Sequence, residues 1–463
     1  MELDDFVKKN DIFDYTVRET IRDLTRIELI SQVWKGITWK HTVLIVTPSS
    51  ITSDQALLYI TGSYSGKLEY LSNQSGELNA VRWIAETTGS PVAVLFDVPN
   101  QPYQGMVEDE IISYTVGKFV ESGDPEWLLL FPMTKSAVRA MDAVSDYFSK
   151  KGISLKGYTV TGASKRGWTT WLTSAVDGRV KAIAPMVYNN LNVPEQVRNQ
   201  VKLLGSFSPE LKDYYQRGLF DLLLKGDKVA LEAVRLIDPF TYLDRITMPK
   251  LIINGANDQF WAINADQFYY DRLLGEKRIL YLPNSDHSLQ DRDRLLSTLK
   301  TFHEMTSRGE KLPDPKAEAT YDDDGALITA YPEEGAYVWT AESESMNFVK
   351  SRWQRIKWSK GFKLKGEGRN KAAFVEFELK GRPNFYLSSN MFVVQTRSRK
   401  PCGLTTNRLN KSLSTALDRH EHDGRMVAAR RSRERARSDP DNSWAYFKAE
   451  QAFNLRLRRC SAL

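Results

Sequence analysis

TVTGASKRGW, residues 159–168, is the stretch on which the fold turns. A strand ends in Gly162-Ala163-Ser164-Lys165-Arg166-Gly167 and a helix begins. A serine at a sharp strand-to-helix turn is the nucleophile-elbow arrangement, which lifts Oγ above the carboxyl edge of a sheet. Gly162 lets the backbone pass close to the following helix. The N–H groups at the helix start face a developing oxyanion, with the helix dipole behind them. The common form is G-x-S-x-G; here Arg166 holds the second glycine's place and Gly167 follows one residue later. A serine that only N-caps a helix after a strand is the competing reading.

Outward from this turn, the first 300 residues alternate strand-like and helix-like segments. HTVLIVTP (41–48), QALLYITGSY (55–64), SPVAVLFDVP (90–99), VKAIAPMV (180–187), KLIINGAND (250–258) and KRILYLPNSDH (277–287) are apolar and β-branched. Helical spacing marks 135–152, the stretch from Lys165, 264–274 and 291–307. Buried-type strands separated by helices mean an α/β fold with a mostly parallel sheet. Residues 188–249 interrupt the alternation and read as a helical insertion above the sheet's carboxyl edge. Short strands separated by turns over 310–396 predict a small antiparallel, β-sandwich-like domain after the α/β domain of 1–309. Residues 397–463 form an Arg-rich, poorly periodic tail, expected to be largely disordered.

The 463-residue chain carries 41% apolar and 26% charged residues, which excludes a disordered chain, a fibre and a disulfide scaffold. No apolar run reaches about 18 residues, so no membrane-spanning helix is visible. The net charge of +6 suggests a polyanion partner, but the tail accounts for it. Residues 397–463 hold 16 Lys+Arg and 7 Asp+Glu; the 48 and 51 that remain give the body a balance of −3. The body thus gives no electrostatic reason to expect nucleic acid. Both cysteines, Cys402 and Cys460, lie in the tail.

A nucleophilic serine needs a base, and the base an orienting acid. Of five histidines, only His287 sits in a loop directly after a strand of the body. His41 and His303 read as structural. Asp258, in LIINGANDQF, follows another apolar strand and precedes His287 by 29 residues, room for one helix and one strand. Ser164, Asp258 and His287 therefore fall at the carboxyl ends of three strands, in the order Ser…Asp…His. The backbone N–H of Lys165 is the first candidate oxyanion donor. The loop 96–105 is the candidate source of the second. The side chains of Lys165 and Arg166 either add positive charge near a substrate or form salt bridges. Tyr188, Asn189, Asn190 and Asn192 follow a strand end and are candidate pocket residues. No P-loop, dinucleotide glycine set or metal cluster is visible, and the serine mechanism needs no cofactor.

The segments LDDFVKKND, SQVWKGITWKH, LLYITGSYS, TGASKRGWTTWL, DGRVKAIAPMVYNNLN, INGANDQFW and LPNSDHSL resemble the PhoPQ-activated pathogenicity-related protein family. The resemblance runs over residues 3 to about 290, and the strand region near MNFVKSRWQRIKW and AAFVEFELKG looks like the family's C-terminal part. It implies an α/β-hydrolase fold with Ser164, Asp258 and His287 at the triad positions. It also implies action outside the cytoplasm, although MELDDFVKKND shows neither a basic n-region nor an apolar h-region. Two functions follow as expectations. One is a serine hydrolase for an ester or peptide acyl bond, acting on a small molecule or a peptide. The other is a secreted, proliferation-repressor-like signalling or binding protein on a hydrolase scaffold.

Overall fold

Six parallel strands carry the site, and their order is what places it. Along the chain run α1 (Leu3–Lys8), β1 (Asp14–Ile21), β2 (Leu24–Trp34), β3 (Ile37–Val46), β4 (Gln55–Ile60), α2 (Gly76–Thr88) and β5 (Val92–Leu95). Then come α3 (Asp109–Ser122), α4 (Leu130–Ser149), β6 (Gly157–Ala163), α5 (Lys165–Val176) and β7 (Val180–Met186). Helices α6 (Val193–Leu204), α7 (Lys212–Tyr215), α8 (Leu219–Lys225) and α9 (Lys228–Ile237) separate β7 from β8 (Lys250–Gly255) and β9 (Lys277–Leu282). Helix α10 (Arg292–Ser307) follows. This computed structural model describes residues 1–63, 76–379, 381–382 and 384–396; the Arg-rich tail of 397–463 lies outside the described residues.

The central sheet runs β1-β2-β3-β5-β4-β6-β7-β8-β9. Strands β5, β4, β6, β7, β8 and β9 are parallel to their neighbours, whereas β3 meets β5 antiparallel. From β2 onward this is the strand order of an α/β-hydrolase. Strands β6, β7 and β8 are buried almost throughout, as apolar runs with helices on both faces must be. One core joins the sheet to α4 and α5 through Phe131, Val144, Tyr158, Val160 and Trp171. The opposite core joins it to α2 and α10 through Ile84, Ala182, Leu251, Leu280 and Phe302.

Beyond β9 the sheet continues. β12 (Ala336–Ser343), β13 (Gln354–Lys357), β15 (Asn370–Glu378), β16 (Tyr386–Ser388) and β17 (Phe392–Val394) extend it through one pairing, Ser388 with Ile279. β10 (Lys316–Asp322), β11 (Gly325–Tyr331) and β14 (Phe362–Lys365) make a separate three-stranded sheet. Ala326, Ile328 and Leu364 of that sheet pack on Val338, Val375 and Phe392 of the large one, so the two enclose a sandwich core. The region of 264–274 forms two short 3₁₀ turns, Ala265–Phe268 and Tyr270–Arg272, in place of the helix its spacing predicts. Asp266 is buried there and accepts from Met391 N at 3.1 Å, and Tyr269, at φ −146°, breaks the helical path. Among the described residues no helix is long and apolar enough to cross a membrane.

Candidate active site

Ser164 stands between β6 and α5 at φ 58°, ψ −125°, a conformation non-glycine residues rarely adopt. Its side chain makes no capping hydrogen bond to α5, so a helix-capping role does not account for it. Ser164 N donates to Met186 O at 2.9 Å, tying the turn to the end of β7. The displaced glycine has a packing reason. A Cβ on Gly167 would lie 2.7 Å from Met186 O, and one on Gly162 would lie 2.7 Å from Arg166 O. Gly167 therefore provides the close approach between α5 and β7, which frees the position of Arg166 for a long side chain.

Asp258 and His287 meet beyond the ends of β8 and β9. His287 Nδ1–H donates to the Asp258 carboxylate, at 2.8 Å to Oδ2 and 3.0 Å to Oδ1. Asp258 Oδ1 also accepts from Phe260 N at 2.9 Å, which fixes the carboxylate within its own loop. The Phe260 ring lies over the imidazole at a centroid distance of 4.1 Å. His287 Nε2 is buried and has no hydrogen-bond partner among the described residues. With Nδ1 holding its proton toward Asp258, Nε2 is left as the basic nitrogen. The other two histidines of the body are structural. His41 lies between Ser31 Oγ and Phe96 O, His303 against Thr159 Oγ1, and burial pushes both down to about 4.

The side chains of Lys165 and Arg166 are held in salt bridges. Lys165 Nζ lies 2.8 Å from Glu108 and 3.0 Å from Asp109. Arg166 grips both oxygens of Glu108, at 2.7 and 2.8 Å, and its Nε donates to Val98 O at 2.5 Å. Burial alone would raise Glu108, but the Arg166 guanidinium and the Lys165 ammonium outweigh it and hold the carboxyl well below its usual range. Glu108 itself sits at φ 55°. The side chain of Gln101 steadies it, accepting from Glu108 N (2.9 Å) and donating to its carboxylate (2.6 Å).

The backbone N–H of Lys165 is at the first position of α5, where a helix offers it no acceptor. The strand order bears on the second donor. β4 lies directly beside β6, and β5 one strand farther out. The loop next to the elbow is therefore Thr61-Gly62-Ser63, whereas the 96–105 loop, the candidate from sequence, starts from the farther strand. The second loop supports the first: Asp97 N donates to Gly62 O (2.8 Å) and Val98 N to Thr61 O (3.2 Å).

An apolar cavity opens above Ser164. Trp168, Tyr188, Phe260 and Trp261 line it, with Val197, Phe220 and Leu223 from the segment between β7 and β8. Tyr188 stacks on Trp168 at 5.0 Å, and Trp261 Nε1 donates to Val187 O at 3.0 Å. Of the candidate pocket residues, Tyr188 and Asn190 line this cavity. Asn189 and Asn192 do not. Asn189 accepts from Tyr269 OH at 2.7 Å in the interior, and Asn192, at φ 65°, donates from Nδ2 to Phe268 O. Asp238 closes the base of this segment, accepting from Val193 N (2.7 Å), Asn192 N (3.3 Å) and Phe240 N (2.9 Å); burial pushes its carboxyl up to about 6. Glu108, Asp109 and the apolar wall were not signalled by the sequence. Trp168 and Trp261 stand in the quoted motifs, and their size beside a small-residue turn was the available sign.

Residues 3–348 match the family described as PhoPQ-activated pathogenicity-related protein. The chain belongs to this family. A relative, autocrine proliferation repressor protein A of Dictyostelium discoideum, is 32% identical over 371 residues, covering 74% of each chain. Among solved structures, acetyl xylan esterase 1 from a Thermoanaerobacterium species aligns with a TM-score of 0.45 at 17% identity, over 65% of this chain and 90% of its own. Pyrococcus horikoshii acylaminoacyl peptidase aligns with a TM-score of 0.40 at 15% identity, over 66% and 44%. The α/β-hydrolase scaffold of this family member rests on its own strand order, β2-β3-β5-β4-β6-β7-β8-β9.

Proposed function

We propose that the protein is a serine hydrolase that cleaves an ester or peptide acyl bond. Ser164 Oγ attacks the acyl carbon while His287 Nε2 takes its proton. Asp258 holds the imidazole tautomer and stabilises the imidazolium. The developing oxyanion meets the N–H of Lys165 and a donor from the 61–63 loop. The leaving group departs with the proton from His287, and water then releases the acid and restores the serine. The observation that carries this reading is the Asp258–His287 pair, 2.8 Å apart, with the imidazole's other nitrogen buried and unpartnered, on the same sheet edge as a strained serine that caps nothing. Turnover of p-nitrophenyl acetate by wild type, Ser164→Ala and His287→Ala tests it. Both variants should lose activity by at least about three orders of magnitude while melting like wild type. Wild-type rates in either would overturn it.

The name of the Dictyostelium relative supports a second reading, a proliferation-repressing signal carried on a hydrolase scaffold. A Ser164→Ala protein that still represses proliferation would favour it.

A further inference from the structure

Two spaces border the loop that carries Asp258, and they differ in character. The first is the cavity above Ser164, whose wall includes Val197, Leu211, Leu219, Phe220, Leu223 and Val234. Most polar residues in that wall are committed elsewhere, the Tyr188 hydroxyl being a buried exception without a partner among the described residues. Gln196 donates to Leu191 O (3.0 Å) and Ala265 O (2.9 Å). Gln200 donates to Phe260 O and accepts from Ser208 N, both at 2.9 Å. Asp109 and Lys165 pair with each other at 3.0 Å, and Tyr214 OH donates to Asp109 at 2.9 Å. A ligand in this cavity therefore meets largely apolar surface.

The second space is a groove of about 970 Å³. It runs between the Asp258 loop, residues 203–210 and the segment 342–352, and its wall carries Glu210, Glu342, Glu344, Lys350 and Arg352. Phe260 and Trp261 line both spaces, and Phe260 covers His287. In triad hydrolysis the histidine hands its proton to the departing group, so that group lies on the histidine's side. The groove begins at the loop of the histidine's partner, whereas the cavity contains the serine. Size then sets the acyl group. The cavity measures about 80 Å³. An apolar cavity of about 150 Å³ holds one benzene, so about half that volume takes about three carbons beyond the carbonyl.

We propose that the substrate is an ester of a short apolar acid, of about four carbons, with a bulky polar alcohol, the acyl chain entering the cavity and the alcohol lying in the groove. This rests on the Ser164 hydrolase reading and adds its substrate class. The Ser164 Oγ–acyl bond forms as the ester C–O bond breaks, the alcohol leaves with the proton His287 took from Ser164, and water yields the short acid.

The test uses p-nitrophenyl acetate, butyrate and octanoate with the full chain. Burying each methylene is worth about fourfold, so kcat/KM should rise on the order of 15-fold from acetate to butyrate. It should then fall at octanoate. Leu223→Ala should move the optimum to a longer chain, and Val197→Ala, a smaller truncation, should move it less. A flat profile, an octanoate optimum in wild type, or an optimum unmoved in both variants would overturn the acyl half. The butyrate ester of glucose should be cleaved about tenfold faster than that of hexanol; equal or reversed rates would overturn the alcohol half. Failure of an ethyl fluorophosphonate to label Ser164 would instead remove the hydrolase reading itself, and labelling with a flat chain-length profile would remove only this inference.

Discussion

The elbow and the segment between β7 and β8 face the same cavity from opposite sides, and different forces hold them. At the elbow, three strand ends fix the backbone, and the cations next to Ser164 are locked to Glu108 and Asp109 within 3.0 Å. The helices opposite are held by packing, by the buried carboxylate of Asp238 at their base, and by hydrogen bonds such as Tyr214–Asp109, Gln196–Ala265 and Gln200–Phe260. The difference teaches where each property resides. On the proposed hydrolase reading, groups that must hold their geometry through a reaction stand on the sheet edge and its charge cluster. On the same reading, groups that would select a substrate stand on helices whose side chains are exchangeable apolar volume.

The comparison predicts unequal sensitivity. Ser164→Ala should cost on the order of 10³- to 10⁶-fold in kcat/KM, and truncations such as Leu223→Ala no more than about 10²-fold. An equal loss in both would erase the distinction. A stability test of the same side is Glu108→Gln, which leaves Lys165 with Asp109 alone and Arg166 without its carboxylate. Removing one partner of a fully buried pair costs about 3–5 kcal/mol. Glu108 is 38% exposed, so solvent screening reduces this to about 2 kcal/mol, read by urea unfolding. An unchanged midpoint would show that the cluster does not fix the elbow.

Asp238 sharpens the other side. Its folded-state pKa, about 6, lies above the ordinary carboxylate value. Between about pH 4 and 6 the folded protein therefore binds more protons at this site than the unfolded chain. The stability from this group is full at low pH and falls as pH rises through that window. Asp238→Asn does not titrate, so its stability relative to wild type should climb by on the order of 2–3 kcal/mol from pH 4 to pH 7. Parallel curves would mean that Asp238 is not buried as described. The smallest effect belongs to Tyr214→Phe, which removes one hydrogen bond between the two regions. It should cost about 1 kcal/mol and shift KM more than kcat; a larger fall in kcat would place α7 in the chemistry.

Much of this was legible in the chain because each candidate catalytic residue follows an apolar strand, and histidine is scarce enough for position to single out His287. What escaped has physical causes. β1 and β2 are poorly signalled, since β1 is an edge strand exposed on nearly every residue and its alternation carries no burial. The neighbourhood of the 61–63 loop and the elbow follows from strand order, 5-4-6 across the sheet, which linear order does not reveal, and it makes that loop our proposed source of the second oxyanion donor. Glu108 and Asp109 lie more than 50 residues from the cations they hold, as charges in an ordinary helix start. Asn189 and Asn192 looked like pocket residues because they trail a strand end, yet the chain turns their amides to the interior and to Phe268 O.

The central claim is that Ser164 is a nucleophile activated by the Asp258–His287 pair. The most direct measurement is mass spectrometric mapping of protein treated with ethyl fluorophosphonate, comparing wild type, Ser164→Ala and His287→Ala. The account predicts one adduct per chain on the peptide containing Ser164, none in Ser164→Ala, and labelling slowed by at least about 10³-fold in His287→Ala. A folded wild type that takes no label, or takes it on another residue, would contradict it.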